Sequence, residues 1–339
     1  MLNLKRGNLL EEKTEALVNT VNCAGVMGRG VALQFKRALP ENFKQYHKAC
    51  KSGEVQPGSM FTVATDSLLN PRYIINFPTK RHWRQKSCLE DIQTGLLALV
   101  QEVQTLGIRS IALPPLGCGN GGLAWSAVKP LIVQAFEPLP EVEVVLFEPV
   151  GAPAASEMTV ATSKPEMTAA RATLIRVLEL YGLSGYRTSR IEIQKLAYFL
   201  KAAGEPALQK LDYQRFHYGP YAHDLNHALQ LMEGHYIQRY GDGSDHAQIK
   251  ILPAGHTAAR DFLAQEQQAE QYLEQIGQLI EGFETPYGME MLATLHWVAQ
   301  EDLQAAQDCQ VAIARVKEWS DRKKNLFKPP PPRNCLGSS

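Results

Sequence analysis

Residues 19–41 read NTVNCAGVMGRGVALQFKRALPE, in which an apolar strand leads through a glycine-rich loop into an amphipathic helix. Glycines at positions 25, 28 and 30 allow the backbone to take positive φ and to approach an anion closely. The helix, predicted from Val31 to Leu39, adds unpaired N–H groups and the positive end of its dipole. The pattern predicts a phosphate-binding loop, with a simple tight turn as the alternative.

A second loop of the same kind follows another apolar strand. Residues 114–123 read PPLGCGNGGL, between a strand predicted at 110–113 and a helix predicted from Ala124 to Phe136. Two anion-binding loops in one domain indicate a ligand with a diphosphate and two ends. Neither loop has the P-loop pattern (GxxxxGKS or GxxxxGKT) or the dinucleotide pattern GxGxxG, so these two classes of nucleotide site are excluded.

The first 150 residues alternate between predicted strands and helices. Strands are predicted at 16–21, 61–64, 73–77, 110–113 and 142–147, and helices at 31–39, 89–106 and 124–136. This succession predicts an α/β domain at 1–150, with three layers around a mostly parallel sheet. Ligands of such sheets bind beyond the carboxyl ends of the strands, where both glycine loops lie.

The second half of the chain predicts a separate, mainly helical domain. We expect a flexible linker at 151–166, where Pro, Ala, Gly, Ser and Thr show no periodicity, a helical domain at 167–327 and a disordered tail at 328–339. Helices are predicted at 169–181, 191–203, 223–233, 258–282 and 289–301. Strands at 236–240 and 248–252, joined through Gly241-Asp-Gly243, predict a small β-wing.

The net charge of zero conceals an asymmetry. Residues 1–150 carry 16 Lys and Arg against 13 Asp and Glu, whereas residues 166–320 carry 13 against 20, a net charge of −7. The first half could therefore face nucleic acid, which the second would repel. The six cysteines show no metal-ligand spacing, so free thiols and no metal are expected. The sequence shows no signal peptide or membrane span, and we expect a cytoplasmic protein.

The two glycine loops resemble those of the macrodomain family, whose members bind ADP-ribose. The closer resemblance is to DNA ADP-ribosyl glycohydrolases of the DarG type, which are antitoxins of toxin-antitoxin pairs. It rests on GVMGRGVALQFK at 25–36 and NFPTKRHWR at 76–84. The resemblance implies hydrolysis of the bond between ADP-ribose and a DNA base, thymine being the expected base. Free ADP-ribose is then the product, and no cofactor is needed.

The resemblance also implies which residues hold ADP-ribose. The two loops are expected to hold the distal ribose and the diphosphate between them. Asn22 is expected to bond the ribose hydroxyls or merely to end the strand, and Asn120 to bond the distal ribose or merely to shape its turn. Asn8 stands where macrodomains commonly place an aspartate that accepts from the adenine amino group, and an asparagine carbonyl can still accept that bond. The expected contacts are Asn8, Leu9, Asn22, Gly25, Val26, Met27, Gly28, Gly30, Val31, Thr79, Pro115, Leu116, Gly117, Cys118, Gly119, Asn120, Gly121 and Gly122.

Lys80 matches the lysine that this glycohydrolase class uses in catalysis. The ribose C1″ of an ADP-ribosylated base is aminal-like, and ring opening gives an aldehyde-level centre that a neutral amine can attack or a base can help to release. The pKa of Lys80 must therefore fall, and Arg81, Arg84 and partial burial would lower it. A solvated or phosphate-pairing lysine is the alternative. Cys118 has no histidine spaced to activate it and is expected to be a buried thiol.

Residues 80–86 interleave basic and aromatic side chains. Such a strip can pair with backbone phosphates while its tryptophan stacks on an unpaired base. The alternative is a solvated surface loop that makes no contact with DNA. Because Lys80 belongs to the strip, modified DNA would be guided to the catalytic amine. The expected DNA contacts are Arg81, His82, Trp83, Arg84 and Lys86.

The second domain contains IQKLAY at 193–198 and FHYGPY at 216–221, which resemble toxin-neutralising domains of the Panacea or SocA-like kind. The resemblance implies a cognate DNA ADP-ribosyltransferase toxin as partner. Residues 218–221 predict a tight turn that caps the following helix. The expected toxin contacts are Asp261, Glu266, Glu270 and Glu274. The last three share one helical row, which is either a solvated face or an imitation of DNA phosphates.

Three other functions are compatible with the sequence. The chain could read ADP-ribosylated targets without cleaving them, hydrolyse protein-linked ADP-ribose or its O-acyl esters, or regulate transcription through the wing-like helical domain. Lys80 and its basic strip argue against a reader. The net charge of −7 in residues 166–320 argues against a regulator that binds DNA.

Overall fold

In the computed structural model the chain folds into two compact units. The first unit ends at Lys164 and the second begins at Pro165. The structure describes residues 2–65, 67, 69–149, 159–183, 188–240, 248–264 and 266–326. Half of the predicted linker, the turn of the predicted wing and the predicted C-terminal tail lie outside the described residues.

The first unit is built on a six-stranded sheet. Its strands are β1 (Leu2–Lys5), β2 (Ala16–Asn22), β3 (Phe61–Ala64), β4 (Tyr73–Lys80), β5 (Ser110–Leu113) and β6 (Glu143–Phe147). They are ordered β1-β6-β5-β2-β4-β3, and all neighbours are parallel except β3 and β4. The helices are α1 (Gly30–Ala38), α2 (Pro40–Lys51), α3 (Leu89–Thr105) and α4 (Trp125–Phe136), and a short 3-10 helix spans Leu9–Glu11.

Helices cover both faces of this sheet because strand residues alternate between two cores. In β2, Ala16 and Val18 pack with residues of α3 and α4, whereas Leu17 packs on the other face with Phe35 of α1. Such alternation between two apolar cores is what a sheet covered on both faces requires. The predicted three-layer domain with a mostly parallel sheet is confirmed.

Two elements of the first unit differ from expectation. Strand β1 has one half-buried and three exposed residues, so it lacks the apolar run that marks a buried strand in sequence. Helix α2 is not among the predicted helices. It begins at Pro40, directly after the predicted end of α1. Proline ends a helix that precedes it, but it is also favoured at the first position of a new one.

The second unit is mainly helical. Its first six α-helices are α5 (Ala169–Leu183), α6 (Arg190–Ala202), α7 (His223–Met232), α8 (Pro253–Leu263), α9 (Gln267–Ile280) and α10 (Pro286–Glu301). Three further helices follow, α11 (Leu303–Gln307), α12 (Cys309–Trp319) and α13 (Asp321–Leu326). Strands β7 (Gln214–Phe216) and β8 (Gly219–Tyr221) form a hairpin, and β9 (Ile237–Gln238) pairs antiparallel with β10 (Lys250–Ile251). The predicted helical domain with a small β-wing is confirmed.

Two predictions within this unit are wrong. The helix predicted at 258–282 is divided into α8 and α9. Leu263 and Ala269 both face the same core, but a continuous helix would place them about 120° apart around its axis. Residues 218–221 do not form a tight turn, because Gly219–Tyr221 pairs as strand β8 with β7.

Among the described residues, none of the helices combines the length and the hydropathy that a membrane span needs.

Candidate functional site

Lys80 and the two glycine loops meet at one edge of the sheet. Asn22 at the end of β2 is in register with Lys80 at the end of β4, and the Cys23 N–H donates to the Lys80 carbonyl at 3.2 Å. The Lys80 Nζ donates to the carbonyl of Asn120, in the second loop, at 3.2 Å. This edge is formed by the carboxyl ends of parallel strands, where ligands of such sheets bind.

The side-chain amide of Asn22 is occupied by its own loop. Its Nδ2 donates to the Val26 carbonyl at 2.6 Å, and its Oδ1 accepts from the N–H groups of Ala24 and Val26 at 3.0 and 3.3 Å. Asn22 is also buried. It therefore shapes the first loop in this structure. The three bonds use both lone pairs of Oδ1 and one of the two N–H groups of Nδ2, so the second N–H can donate to a ribose hydroxyl without exchange.

Helix α2 holds the first loop from behind. The hydroxyl of the buried Tyr46 donates to the Asn22 carbonyl. The Nδ1 atom of His47 lies 3.1 Å from the Gly25 carbonyl oxygen. Gly25 has φ of +76°, and a Cβ atom there would lie 2.9 Å from the His47 ring. Both conformation and space therefore require glycine at position 25.

The first loop leads into a helix whose N-terminus has no side-chain cap. The N-cap residue of α1 is Arg29, and its side chain makes no capping hydrogen bond. In the part of the chain that the structure describes, the N–H groups of Gly28 and Gly30 bond to no protein acceptor. Free N–H groups and the helix dipole together attract an anion. The N–H groups of the first loop are therefore suited to an anion.

The second loop closes on itself and leaves three donors at its tip. Backbone hydrogen bonds of 3.0 to 3.1 Å within residues 115–123 fix its shape, and Gly117 and Gly122 have φ of +69° and +78°. Among the described residues, no protein acceptor bonds the N–H groups of Gly119, Asn120 and Gly121. Three consecutive N–H groups without a protein acceptor are a pattern that suits an anion.

The pKa of the Lys80 amine is lowered by burial, the direction that a neutral amine near pH 7 requires. The cause differs in part from the expectation, in which Arg81 and Arg84 also contribute. Arg81 instead donates two hydrogen bonds to Asp91, at 2.8 and 3.1 Å. Its charge is balanced by that carboxylate rather than directed at Lys80.

The rest of the basic strip forms a loop between β4 and α3. Trp83 is 45% exposed, with the Arg84 guanidinium 4.5 Å from its ring centroid and the His82 ring 5.4 Å away. Lys86 is also exposed. Trp83, Arg84 and Lys86 are accessible to a nucleic-acid strand, whereas Arg81 is engaged with Asp91.

Several residues expected to contact ADP-ribose have side chains in the core, so only their backbone could face the ligand. Each of these is at most 7% exposed: Leu9, Met27, Thr79 and Leu116. The side chains of Val26, Val31 and Pro115 are exposed or half-buried. Asn8 caps the 3-10 helix, where its Oδ1 accepts from the Leu10 N–H at 3.1 Å. The second lone pair of this Oδ1 is not used by that bond and could accept from an adenine amino group.

Cys118 lies in the second loop, where burial raises the pKa of its thiol to about 11. Its Sγ donates to the Leu116 carbonyl at 3.4 Å. It is therefore protonated near neutral pH and a poor nucleophile. Within the described residues, no group of three or more His, Cys, Asp and Glu side chains is arranged to hold a metal ion.

Two buried polar groups behind the site are missed by sequence reasoning. Asn76 of β4 bonds Asn19 of β2 at 3.0 Å and Asn42 of α2 at 2.8 and 3.3 Å. Ser87 donates its N–H to the Gly121 carbonyl at 3.0 Å, and its Oγ would clash with a Cβ atom at that glycine. The sequence carries no signal for contacts between residues this far apart.

The four acidic residues of the second unit do not lie on one helix. Asp261 belongs to α8, Glu266 precedes α9, and Glu270 and Glu274 lie within α9. All four are exposed, and Glu270 lies 3.5 Å from Arg176. Of the expected row of Glu266, Glu270 and Glu274, only Glu270 and Glu274 lie within the helix, Glu266 is its N-cap residue, and the charge of Glu270 is partly balanced.

Comparison with known proteins identifies the family of this chain. Residues 18–132 match the family model of the Macro domain. The chain is 49% identical over 328 residues to a DNA ADP-ribosyl glycohydrolase of Thermus aquaticus, and the aligned region covers 97% of this chain and 90% of the relative. It is 33% identical over 163 residues to a DNA ADP-ribosyl transferase-DNA ADP-ribosyl glycohydrolase fusion protein of Thermosipho africanus, covering 44% of this chain and 42% of that protein.

Among solved structures, the macrodomain of Mycobacterium tuberculosis DarG is 55% identical, with a TM-score of 0.44, and covers 44% of this chain and 98% of that one. The resemblance found in the sequence is confirmed by the full-length relative. The chain belongs to the DNA ADP-ribosyl glycohydrolase family, and its first unit contains the Macro domain.

Proposed function

We propose that the first unit hydrolyses the bond between ADP-ribose and a DNA base, thymine in our assignment, and releases free ADP-ribose. The observation that carries the proposal is the position of the Lys80 Nζ, 3.2 Å from the carbonyl of Asn120 in the second loop. A Cβ atom at Gly30 in the first loop would lie 3.1 Å from the Asn120 Nδ2. One amine therefore stands where both anion-binding loops meet.

The loops supply binding and Lys80 supplies the chemistry. The free N–H groups of Gly28, Gly30 and residues 119–121 fit the diphosphate, which fixes the distal ribose between the loops. A neutral Lys80 amine attacks C1″ as the bond between C1″ and the base nitrogen breaks, and the positively charged Lys80 nitrogen that results gives one of its protons to the departing base. Water then hydrolyses the bond between C1″ and the Lys80 nitrogen and supplies the C1″ hydroxyl of free ADP-ribose. If Lys80 acts as a general base instead, it takes the proton of the water that attacks C1″.

Nucleic acid reaches this amine through the strip that contains it. Trp83 and Arg84 form an exposed pair that can stack on an unpaired base, and Lys86 can bind a backbone phosphate. The strip begins at the residue that carries the reactive amine. This arrangement supports a DNA substrate over the two alternatives, an ADP-ribose reader and a hydrolase of protein-linked ADP-ribose.

The decisive experiment offers the purified chain two labelled substrates. One is a single-stranded oligonucleotide carrying ADP-ribose on thymine, and the other is an ADP-ribosylated protein. We expect free ADP-ribose and intact thymine from the oligonucleotide, detected by mass spectrometry, and at least tenfold slower release from the protein. Faster release from the protein contradicts the assignment of a DNA substrate, and binding of both without release makes the chain a reader.

We propose that the second unit binds and blocks a cognate DNA ADP-ribosyltransferase, which makes the chain an antitoxin. The net charge of −7 in residues 166–320 supports a cationic partner, and a transferase that acts on DNA needs a cationic surface for its substrate. The exposed carboxylates of Asp261, Glu266, Glu270 and Glu274 could imitate DNA phosphates on that surface.

Blocking and hydrolysis can be separated with one variant. A full-length Lys80→Ala chain is expected to inhibit the purified transferase as strongly as the wild-type chain, because residue 80 lies in the other unit. The assay measures transfer of label to DNA with increasing amounts of each chain. An inhibitory effect that disappears with Lys80→Ala shows removal of the mark rather than blocking.

A further inference from the structure

The two sequence motifs of the second unit, at 193–198 and 216–221, contact each other. The Nζ of Lys195 in α6 donates to the carbonyl of Pro220 in β8 at 2.5 Å. The side-chain amide of Gln194 bonds both backbone groups of Ala222, donating at 3.0 Å and accepting at 2.9 Å. The first motif therefore anchors the β7–β8 hairpin. The proposed hydrolysis uses neither motif.

The anchor fixes the hairpin in one position. Lys195 is 1% exposed, and a buried ammonium group is costly unless its hydrogen bonds are made. Gly219 has φ of +92°, and a Cβ atom there would lie 3.0 Å from the Thr294 Oγ1 of α10. The Trp319 indole adds a third tie, because its Nε1 donates to the Phe216 carbonyl at 2.9 Å. Hydrogen bonds from α6 and α12 thus hold a hairpin of eight residues, and the close approach of Thr294 in α10 leaves no room for a side chain at Gly219.

This rigid hairpin exposes aromatic rings to solvent. Phe216 and Tyr218 are 42% and 41% exposed, large fractions for such side chains. Phe216 stacks on Tyr221 with ring centroids 5.0 Å apart, and the Arg322 guanidinium lies 4.5 Å from the Tyr218 ring centroid. We define the hairpin surface as Arg215, Phe216, His217, Tyr218, Tyr221 and Trp319.

The composition of the hairpin surface is that of a protein-binding anchor. Aromatic and arginine side chains dominate the energetic centres of interfaces, and a preformed conformation reduces the entropy lost on binding. A carboxylate borders the surface, since Glu301, 46% exposed, pairs with Arg215 at 3.1 Å. Residues 166–320 carry a net charge of −7, which favours a cationic protein and disfavours a nucleic-acid strand.

We propose that the hairpin surface is the anchor by which the second unit holds the cationic, DNA-handling face of the transferase. This inference rests on the proposed antitoxin function and locates its contact. Long-range charge mainly raises the association rate, whereas buried aromatic anchors mainly slow dissociation. The acidic residues of α8 and α9 therefore steer the transferase, and the hairpin surface retains it.

The test measures both rate constants between the full-length chain and the purified transferase, inactivated at its own active site. The double variant Phe216→Ala/Tyr218→Ala is expected to raise the dissociation rate constant at least about tenfold, with an unchanged melting temperature. Tyr287→Ala is the matched control, since Tyr287 is an exposed tyrosine of the same unit and should leave both rates unchanged. Glu266→Gln/Glu274→Gln should lower the association rate constant at low salt and leave dissociation unchanged.

Three outcomes overturn the inference. Dissociation that is unchanged in the double variant places the anchor elsewhere and leaves the antitoxin function intact. Loss of binding to a labelled oligo(dT) in the double variant, with the transferase still held, assigns the hairpin surface to nucleic acid. A wild-type chain that does not bind the transferase at all removes both the antitoxin proposal and this contact.

Discussion

Gly30 and Asn120 lie where the two glycine loops touch. A Cβ atom at Gly30 would be 3.1 Å from the Asn120 Nδ2, and Gly30 has φ of +60°. The carbonyl of the same asparagine accepts from the Lys80 Nζ. The first loop, the second loop and the amine therefore form one site whose dimensions depend on the absence of a side chain at position 30.

Replacing Gly30 by alanine is expected to weaken ADP-ribose binding. The left-handed backbone costs a residue with a Cβ atom about 1 kcal/mol of unfolding free energy, and the new methyl group pushes the two loops apart. Gly107→Ala is the matched control, because Gly107 has φ of +62° with no atom within 4 Å of the added Cβ. Urea unfolding should show similar losses for both variants, whereas calorimetry should show weaker ADP-ribose binding for Gly30→Ala alone. Equal affinities would show that the loops can separate without cost.

The basic strip makes a prediction about salt. Lys86→Ala is expected to reduce the slope of log K against log salt for modified single-stranded DNA by about 0.7, the share of one phosphate contact. Trp83→Ala should weaken binding and leave the slope unchanged, because stacking releases no counterions. Fluorescence anisotropy at several salt concentrations measures both. Free ADP-ribose should bind both variants as it binds the wild type, and parallel salt slopes for DNA and ADP-ribose would argue against a DNA contact.

The end of β4 shows what the sequence can and cannot predict. The strand is predicted to stop at Phe77, because Pro78 cannot donate to a sheet. It continues to Lys80, since the register with β2 shifts between Val21 and Asn22, and such an irregularity accommodates a proline. The strands and both loops follow from local pattern. Their exact ends depend on the neighbouring strand, which the sequence does not reveal.

The contacts behind the site are unpredictable for a related reason. Helix α2 supplies Tyr46 and His47 to the first loop, yet the bonds join residues 22 to 24 positions apart. Asn22 matches an expected ligand contact, but its amide is bonded to the backbone of its own loop, and this depends on the turn that the glycines adopt. Residue types therefore predicted where the site lies, whereas the partner of each polar group depends on tertiary structure.

Asn76 is expected to be the most sensitive of these buried polar residues. It is fully buried, and its amide bonds Asn19, Asn42 and the Phe61 carbonyl. Asn76→Ala leaves those groups without partners, and we expect the free energy of unfolding to fall by about 2 to 3 kcal/mol. Thr105→Ala is a control in which an exposed hydroxyl bonded within its own helix is lost, and it should cost less than 1 kcal/mol. Urea unfolding measures both, and similar losses would show that water replaces the amide.

The turnover rate is expected to rise with pH as Lys80 loses its proton. Burial lowers the pKa of this amine from an ordinary value of 10.5, so the rise should have its midpoint below that value. Lys80→Ala and Lys80→Arg should both abolish turnover while ADP-ribose binding persists, because the first lacks the amine and the second stays protonated. A variant that cleaves at the normal rate, or a rate independent of pH between 6 and 10, removes Lys80 from the mechanism.

The same burial makes a prediction about stability that does not depend on turnover. A lysine whose pKa is lower in the folded state binds fewer protons there than in the unfolded state. The cost of burying the protonated amine therefore lowers the free energy of unfolding in full at pH values below the folded-state pKa. This cost is relieved as pH rises toward the unfolded-state pKa. Lys80→Met removes the titrating group and retains most of the volume. We expect the unfolding free energy of the wild type, relative to Lys80→Met, to increase between pH 7 and pH 10. A constant difference would show that the Lys80 amine keeps its ordinary pKa, and the proposed nucleophile would then be protonated at neutral pH.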